Sequence, residues 1–263
     1  MKLLAWDTST KSGSIAALEW TDRKDCRWKD VRLVAEMTLN VNAGVHSEGL
    51  LWGIHECLSS AQWKLDDLDL FGVGVGPGSF TGLRIGLATA RTLGQTLEKP
   101  IVGVSSLCAL VRPLSFHYAA KEDSDPWIVG ATDACKGELF VTWGKASDFR
   151  RQAYEKKVQE AVLTPESFIE AFLKDMKASK EKEWIALGEG TERYPESWAL
   201  LPQNKRLKSL PDVTPRIQGR YLAQLAWEGF RAGRARPALE IYPRYLRSSD
   251  AEIKLKKGLL PLF

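Results

Sequence analysis

From Phe71 the chain alternates an apolar residue with glycine, Phe71-Gly72-Val73-Gly74-Val75-Gly76. It then runs directly into Pro77-Gly78-Ser79-Phe80-Thr81-Gly82-Leu83-Arg84-Ile85-Gly86. A period of two marks a strand, and here one face of that strand is bare. Glycine weakens a strand without packing anything, so another group has to approach that face closely. Pro77-Gly78 ends the strand, and Ser79 or Thr81 can cap a helix running to about Leu97. Inside that helix Gly82, Gly86, Ala90 and Gly94 recur every fourth residue and so share one face. Each interior glycine costs about 1 kcal/mol relative to alanine. Close approach by another backbone is the simplest compensation, and the neighbour can belong to the same chain or to a partner.

The strand-to-helix junction also carries two hydroxyls, and its backbone amides can hold an anion. A Walker A loop would need a Lys-Ser/Thr pair, which is missing, and the dinucleotide GxGxxG spacing is missing too. The alternative is a glycine turn that lets strand and helix pack tightly.

The flanking segments read as an α/β chain. Leu3–Trp6 is a short buried strand ending at Asp7, followed by the polar turn Thr8–Gly13 and a second strand, Ser14–Trp20. Residues 21–30 read as loop and Glu36–Val41 as a third strand. Leu50, Leu51, Ile54, Cys57, Leu58 and Ala61 give a helical face within about 45–63. Ile101–Val104 is a strand followed by a helix capped by Ser105 or Ser106, with loop over 113–126. Strands follow at Trp127–Ala131, Leu139–Trp143 and Trp184–Gly188, and 144–160 is irregular. Thr164-Pro165 and Thr214-Pro215 each start a helix, the second running to about Ala232. Two α/β lobes result, 1–105 and 106–263, and the helix at about 215–232 is a candidate to pack back on the first.

Composition removes several chemistries. Cys26, Cys57, Cys108 and Cys135 lie too far apart for a zinc knuckle or a CxxC pair. His46, His55 and His117 form no HExxH or HxxxH motif, so no metal site is expected. The first apolar run, Leu3–Trp6, is too short for a signal-peptide core or a membrane span, and a cytoplasmic chain is expected. His46-Ser47-Glu48 invites a triad reading, but adjacent helical residues do not face one another. The net charge of +4 is uneven. Residues 231–263 hold eight basic and three acidic residues, and Arg244 and Arg247, with Tyr242 and Tyr245, can contact RNA or pack the tail on the protein.

These segments meet a known family. Leu3–Thr10 (LLAWDTST), His46–Leu51 (HSEGLL), Gly72–Gly86, Gly103–Leu107 (GVSSL), Asp133–Val141 (DACKGELFV) and Tyr242–Glu252 (YPRYLRSSDAE) together resemble the TsaB (YeaZ) family of the tRNA threonylcarbamoyladenosine machinery. The resemblance implies a two-lobed actin/sugar-kinase-like, ribonuclease H-like α/β fold with mixed sheets flanked by helices. It also implies a non-catalytic role. The transferring, metal-binding subunit would be a TsaD-like paralogue with a histidine pair on a helix, where this chain offers only His46 and His55, nine residues apart. The paralogue would dock on the first two long helices, through His46, Leu50, Ile54, Gly82, Gly86, Ala90 and Gly94. A TsaE-like ATPase would join, tRNA would be reached through the complex, and the chain alone can homodimerise. Asp7, Thr8 and Ser9 with Gly78, Ser79 and Thr81 would be a degraded phosphate loop, lacking the glycine that such loops carry after the acid. ATP or ADP at the complex interface is the cofactor this leaves open. The competing reading is an ATP-dependent phosphotransferase or peptidase of the same superfamily acting alone.

Overall fold

The computed structural model describes residues 1–20, 31–40, 46–119, 124–150, 157–179, 183–201 and 214–247. Leu3–Trp6 are apolar on both faces because the strand they form, β1 (Lys2–Asp7), is central and covered on both sides. It pairs antiparallel with β2 (Ser12–Trp20) and parallel with β4 (Leu70–Gly76). β3 (Val31–Asn40) lies outside β2, and β5 (Ile101–Ser105) outside β4, giving the order β3-β2-β1-β4-β5. The second sheet, β8-β7-β6-β9, repeats the first four positions of that order. Its strands are β6 (Trp127–Cys135), β7 (Glu138–Lys145), β8 (Gln159–Leu163) and β9 (Trp184–Leu187). In each sheet three strands form an antiparallel meander and the next joins parallel to the innermost one. This is the two-lobed, ribonuclease H-like arrangement of mixed sheets with flanking helices.

Alternation along β1 sorts the layers. Leu4 and Trp6 point to one side, where α1 (His46–Ala61) and α2 (Phe80–Thr96) cover the sheet through Leu50, Ile54, Leu87 and Ala90. Leu3 and Ala5 point to the other side, onto α8 (Gly219–Arg231) and α3 (Ser106–Ala119). The same cluster continues into Ile128, Phe140 and Ile185 of the second sheet, so α3 and α8 are shared between the sheets. Beyond the second sheet, Val129, Leu139 and Val141 meet Phe168 and Phe172 of α5 (Pro165–Ala178). The remaining helices, α4 (Ala146–Phe149), α6 (Gly190–Arg193) and α7 (Pro195–Trp198), are single turns.

Several boundaries differ from the sequence reading. α3 continues through Pro113 to Ala119, where loop was expected, because Val111 and Leu114 are buried between the sheets. β8 lies in the stretch read as irregular; it is an edge strand whose side chains are mostly half-buried, so its pattern is weak. β3 begins at Val31, five residues early. α8 begins at Gly219 rather than at Thr214, where Gly219 fits against the Ile15–Ala16 backbone with no room for a side chain. The loop read at 21–30 lies outside the described residues.

Candidate functional site

The bare face of β4 is met by three different groups. An added Cβ at Gly72 would lie 2.7 Å from Cβ of Ala226 on α8 and 3.0 Å from Cβ of Ala5. At Gly74 it would overlap the Asp7 carboxylate and come within 3.1 Å of Ser106 Oγ. At Gly76, which has φ +101°, it would meet Leu83 at 2.9 Å and the Arg244 carbonyl oxygen at 3.2 Å. Glycine is therefore required along this strand by a helix, a carboxylate and a returning tail segment in turn.

Asp7 is wholly buried at the end of β1. Its Oδ1 accepts from the Ser9 backbone N–H at 2.8 Å and from Ser9 Oγ at 2.6 Å. Its Oδ2 accepts from Ser106 Oγ at 2.5 Å, and that hydroxyl in turn accepts from the Gly76 N–H at 3.2 Å. Burial raises the Asp7 pKa, against the pull of the bonds from Ser106 and Ser9. Thr8 Oγ1 donates to the Gly82 carbonyl at 2.7 Å, and the Ser9 carbonyl accepts from the Ser79 N–H at 2.7 Å. Ser79 Oγ accepts from the Gly82 N–H at 3.2 Å, capping α2, and the Ser79 carbonyl accepts from the Leu83 N–H at 2.9 Å. The Thr8–Ser9 and Gly78–Ser79 segments thus close on each other, with the Gly78 Cα against the Ser9 backbone. The amides of Ser9, Ser79, Gly82 and Leu83 already serve the fold, and Thr81 is exposed at the first turn of α2.

The glycine stripe faces its own chain. Gly82 and Gly86 sit against Thr8, with Trp6 Nε1 donating to the Gly86 carbonyl at 3.0 Å. Gly94 sits against Ile101, and Ala90 is fully buried. Leu50 and Ile54 are likewise turned into the core. All six of these residues are turned into the molecule: β1 and β5 lie against the glycine stripe, and the sheet covers the apolar face of α1. The His46 side chain lies outside the described residues. What the two helices offer to solvent is the opposite face, with Leu51 and Trp52 each 56% exposed, His55 beside Ser59 at 3.5 Å, and Arg84, Ala88 and Thr92. Leu51, counted on the apolar helical face by its spacing, is instead turned to solvent beside Trp52.

The tail segment Ile241–Arg247 runs back along α2 and crosses to the second lobe. Arg91 donates from Nε to the Ile241 carbonyl at 2.9 Å, and the Arg244 N–H donates to Val75 at 2.7 Å. The Arg244 guanidinium pairs with Glu160, whose side chain is only 3% exposed and also accepts from Ser105 Oγ at 2.5 Å. Arg247 donates to the Ala134 carbonyl at 2.7 Å and lies 3.4 Å from Glu138. Both arginines thus bond within the molecule, and the Arg244 side chain remains 43% exposed. Ser106 and Glu160 carry much of this geometry; the sequence showed Ser106 only as a helix-cap candidate and Glu160 only at the end of a stretch read as irregular.

Residues 40–255 match the family model described as "TsaD: tRNA N6-adenosine threonylcarbamoyltransferase". The chain is 27% identical to the tRNA threonylcarbamoyladenosine biosynthesis protein TsaB of Escherichia coli K12, over 97% of this chain and 98% of that one. The chain belongs to that family, as a TsaB/YeaZ-type member. The Bacillus subtilis TsaB is also 27% identical, over 97% of each chain. The solved structure of YeaZ from Pseudomonas aeruginosa superposes with a TM-score of 0.66 at 25% identity, over 93% of this chain and 99% of that one. The likeness to TsaB/YeaZ proteins therefore spans both sheets and the tail up to the last described residues. Among those residues no helix is long and apolar enough to cross a membrane.

Proposed function

We propose that this TsaB/YeaZ-type chain is a non-catalytic scaffold subunit in tRNA threonylcarbamoyladenosine biosynthesis. It supports a TsaD-like paralogue that transfers threonylcarbamoyl from its adenylate to the adenosine beside the anticodon, in an assembly that a TsaE-like ATPase joins. The observation that carries the reading is the state of Asp7. A phosphotransferase of this fold needs a carboxylate turned toward a metal-bound phosphate, and this one is buried and fully engaged by Ser9 and Ser106. The amides of Ser9, Ser79 and Gly82 beside it are engaged as well. Support for a docking role comes from Leu51 and Trp52, two large apolar side chains exposed on one helix turn. In this reading residues 1–105, with α8 laid against them, form the docking lobe, and the paralogue covers the outward face of α1 at Leu51 and Trp52 with the adjoining Ala88 and Thr92 of α2, leaving the Phe80–Arg84 end of α2 uncovered.

Co-purification with the TsaD-like paralogue tests the proposal, with and without ATP and the TsaE-like ATPase. Wild-type chain should capture the paralogue and restore tRNA modification, Trp52→Glu should lose both, and Asp7→Asn should retain both. Turnover of Mg-ATP by the purified chain alone, abolished by Asp7→Asn, would establish the phosphotransferase reading instead.

A further inference from the structure

Three rings and two arginines line up on the outer side of α2 and the returning tail. Phe80 packs at a 32° tilt against Tyr245 with ring centroids 4.8 Å apart, and the Arg84 guanidinium lies over Phe80 at 3.8 Å. About two helical turns further on, Arg91 lies 5.1 Å from the Tyr242 ring centroid. Tyr242 is 68% exposed and Tyr245 42% exposed. The charge of this surface is one-sided: Phe80–Thr96 and Ile241–Arg247 contain four arginines and not one Asp or Glu. Glu160 and Glu138 neutralise Arg244 and Arg247 from the second lobe. Among the described residues, Arg84 and Arg91 have no carboxylate partner.

We infer that this surface is a contact site for unpaired bases of RNA, the rings stacking on bases and Arg84 and Arg91 meeting phosphates. The inference rests on the scaffold reading for the identity of the RNA, a tRNA substrate. It relocates the RNA contact from the tail's arginines to its tyrosines, because Arg244 and Arg247 are paired with Glu160 and Glu138 and hold the tail, while the Tyr242 and Tyr245 rings are exposed beside them. Aromatic faces give sequence-tolerant stacking, and neighbouring guanidiniums add charge and cation–π attraction. A purely apolar partner surface would gain nothing from two guanidiniums without counter-charges.

The test uses full-length chain, alone and assembled with the TsaD-like paralogue, and an unmodified tRNA transcript over a salt series. Tyr242→Ala should weaken tRNA binding roughly tenfold without altering the salt slope. Arg84→Gln should reduce the slope of log K against log salt by about 0.7 to 0.9. Tyr242 is exposed enough that its removal leaves the fold intact, which a thermal melt verifies, and Tyr245→Ala then serves as the second variant. Tyrosine variants that bind tRNA like wild type in both preparations overturn the inference. So does loss of paralogue capture with tRNA binding unchanged, which assigns the surface to a protein. Failure of the scaffold reading registers separately, as wild-type chain that does not capture the paralogue.

Discussion

Replacing Gly86 with alanine should destabilise the protein, although alanine is the better helix former. The added Cβ would overlap Thr8 Oγ1 and lie 3.6 Å from both Thr8 Cβ and Trp6 Nε1. Thr8 cannot simply rotate away, because its hydroxyl donates to the Gly82 carbonyl at 2.7 Å inside the core. Losing that bond in a buried position costs about 1–3 kcal/mol, and the overpacking adds about 1–3 kcal/mol. The helix gains back about 1 kcal/mol from removing glycine. The net loss is then about 1–5 kcal/mol, and its midpoint of about 3 kcal/mol corresponds to a fall in Tm of roughly 6–12 °C for a chain of this size. Gly49 is the matched control: it lies in α1 with nothing within 4 Å of an added Cβ. Gly49→Ala should stabilise by about 0.5–1 kcal/mol. Urea unfolding of both variants reads the difference directly. In a Thr8→Ala background the cost of Gly86→Ala should largely vanish, since the overlapping atom is gone. A Gly86→Ala protein as stable as wild type would refute the packing account. It would also reopen the stripe as a surface awaiting a partner.

Trp52→Glu should abolish capture of the TsaD-like paralogue while changing unfolding free energy by less than about 0.5 kcal/mol, because the ring is exposed; a large stability loss would mean that the ring serves the fold. Arg244→Ala should cost about 1 kcal/mol, a value held down by the guanidinium's 43% exposure, and should speed amide exchange in the β6–β7 hairpin that the tail tethers. Unchanged exchange there would show that the tail does not tie the lobes.

Much of this architecture can be read from the chain because its elements carry strong periods. The alternation of Gly72, Gly74 and Gly76 requires close neighbours, and three are found. The i+4 recurrence of Gly82, Gly86, Ala90 and Gly94 likewise requires a packed face, but periodicity does not say against what. Here β1 and β5 fill it, so an inference to a partner chain passes over the nearer neighbour. β8 escapes notice because an edge strand with half-buried side chains has a diluted period, and α3 because a single proline is tolerated where Val111 and Leu114 are held between two sheets. The tail has no period at all: Ile241–Arg247 is held by individual bonds to Arg91, Val75, Glu160 and Ala134, which are 84 to 169 residues away by sequence number. Contacts of that kind leave no local pattern.

Asp7 offers the sharpest separation of the two functional readings, because its protonation is linked to folding. Burial raises its carboxyl pKa above 3.8 in the folded state. Folded chain then holds the proton more tightly than unfolded chain. The stabilising contribution is fully present below the unfolded pKa and is lost as pH rises from 3.8 through the raised folded value. Above that folded value the ionised group burdens the fold. Asparagine can still accept from the Ser9 N–H and Ser9 Oγ, and its amide can donate to Ser106 Oγ, so the network survives without the charge. Asp7→Asn should consequently gain in Tm on wild type as the pH is raised from acid to neutral, measured by thermal melts across that range. In a scaffold this substitution also leaves tRNA modification by the assembled complex intact. A phosphotransferase would lose its activity with the same single change. A melting difference that does not vary with pH would refute the linkage argument, and loss of modification in a variant that still folds and still captures its paralogue would refute the scaffold role for this carboxylate.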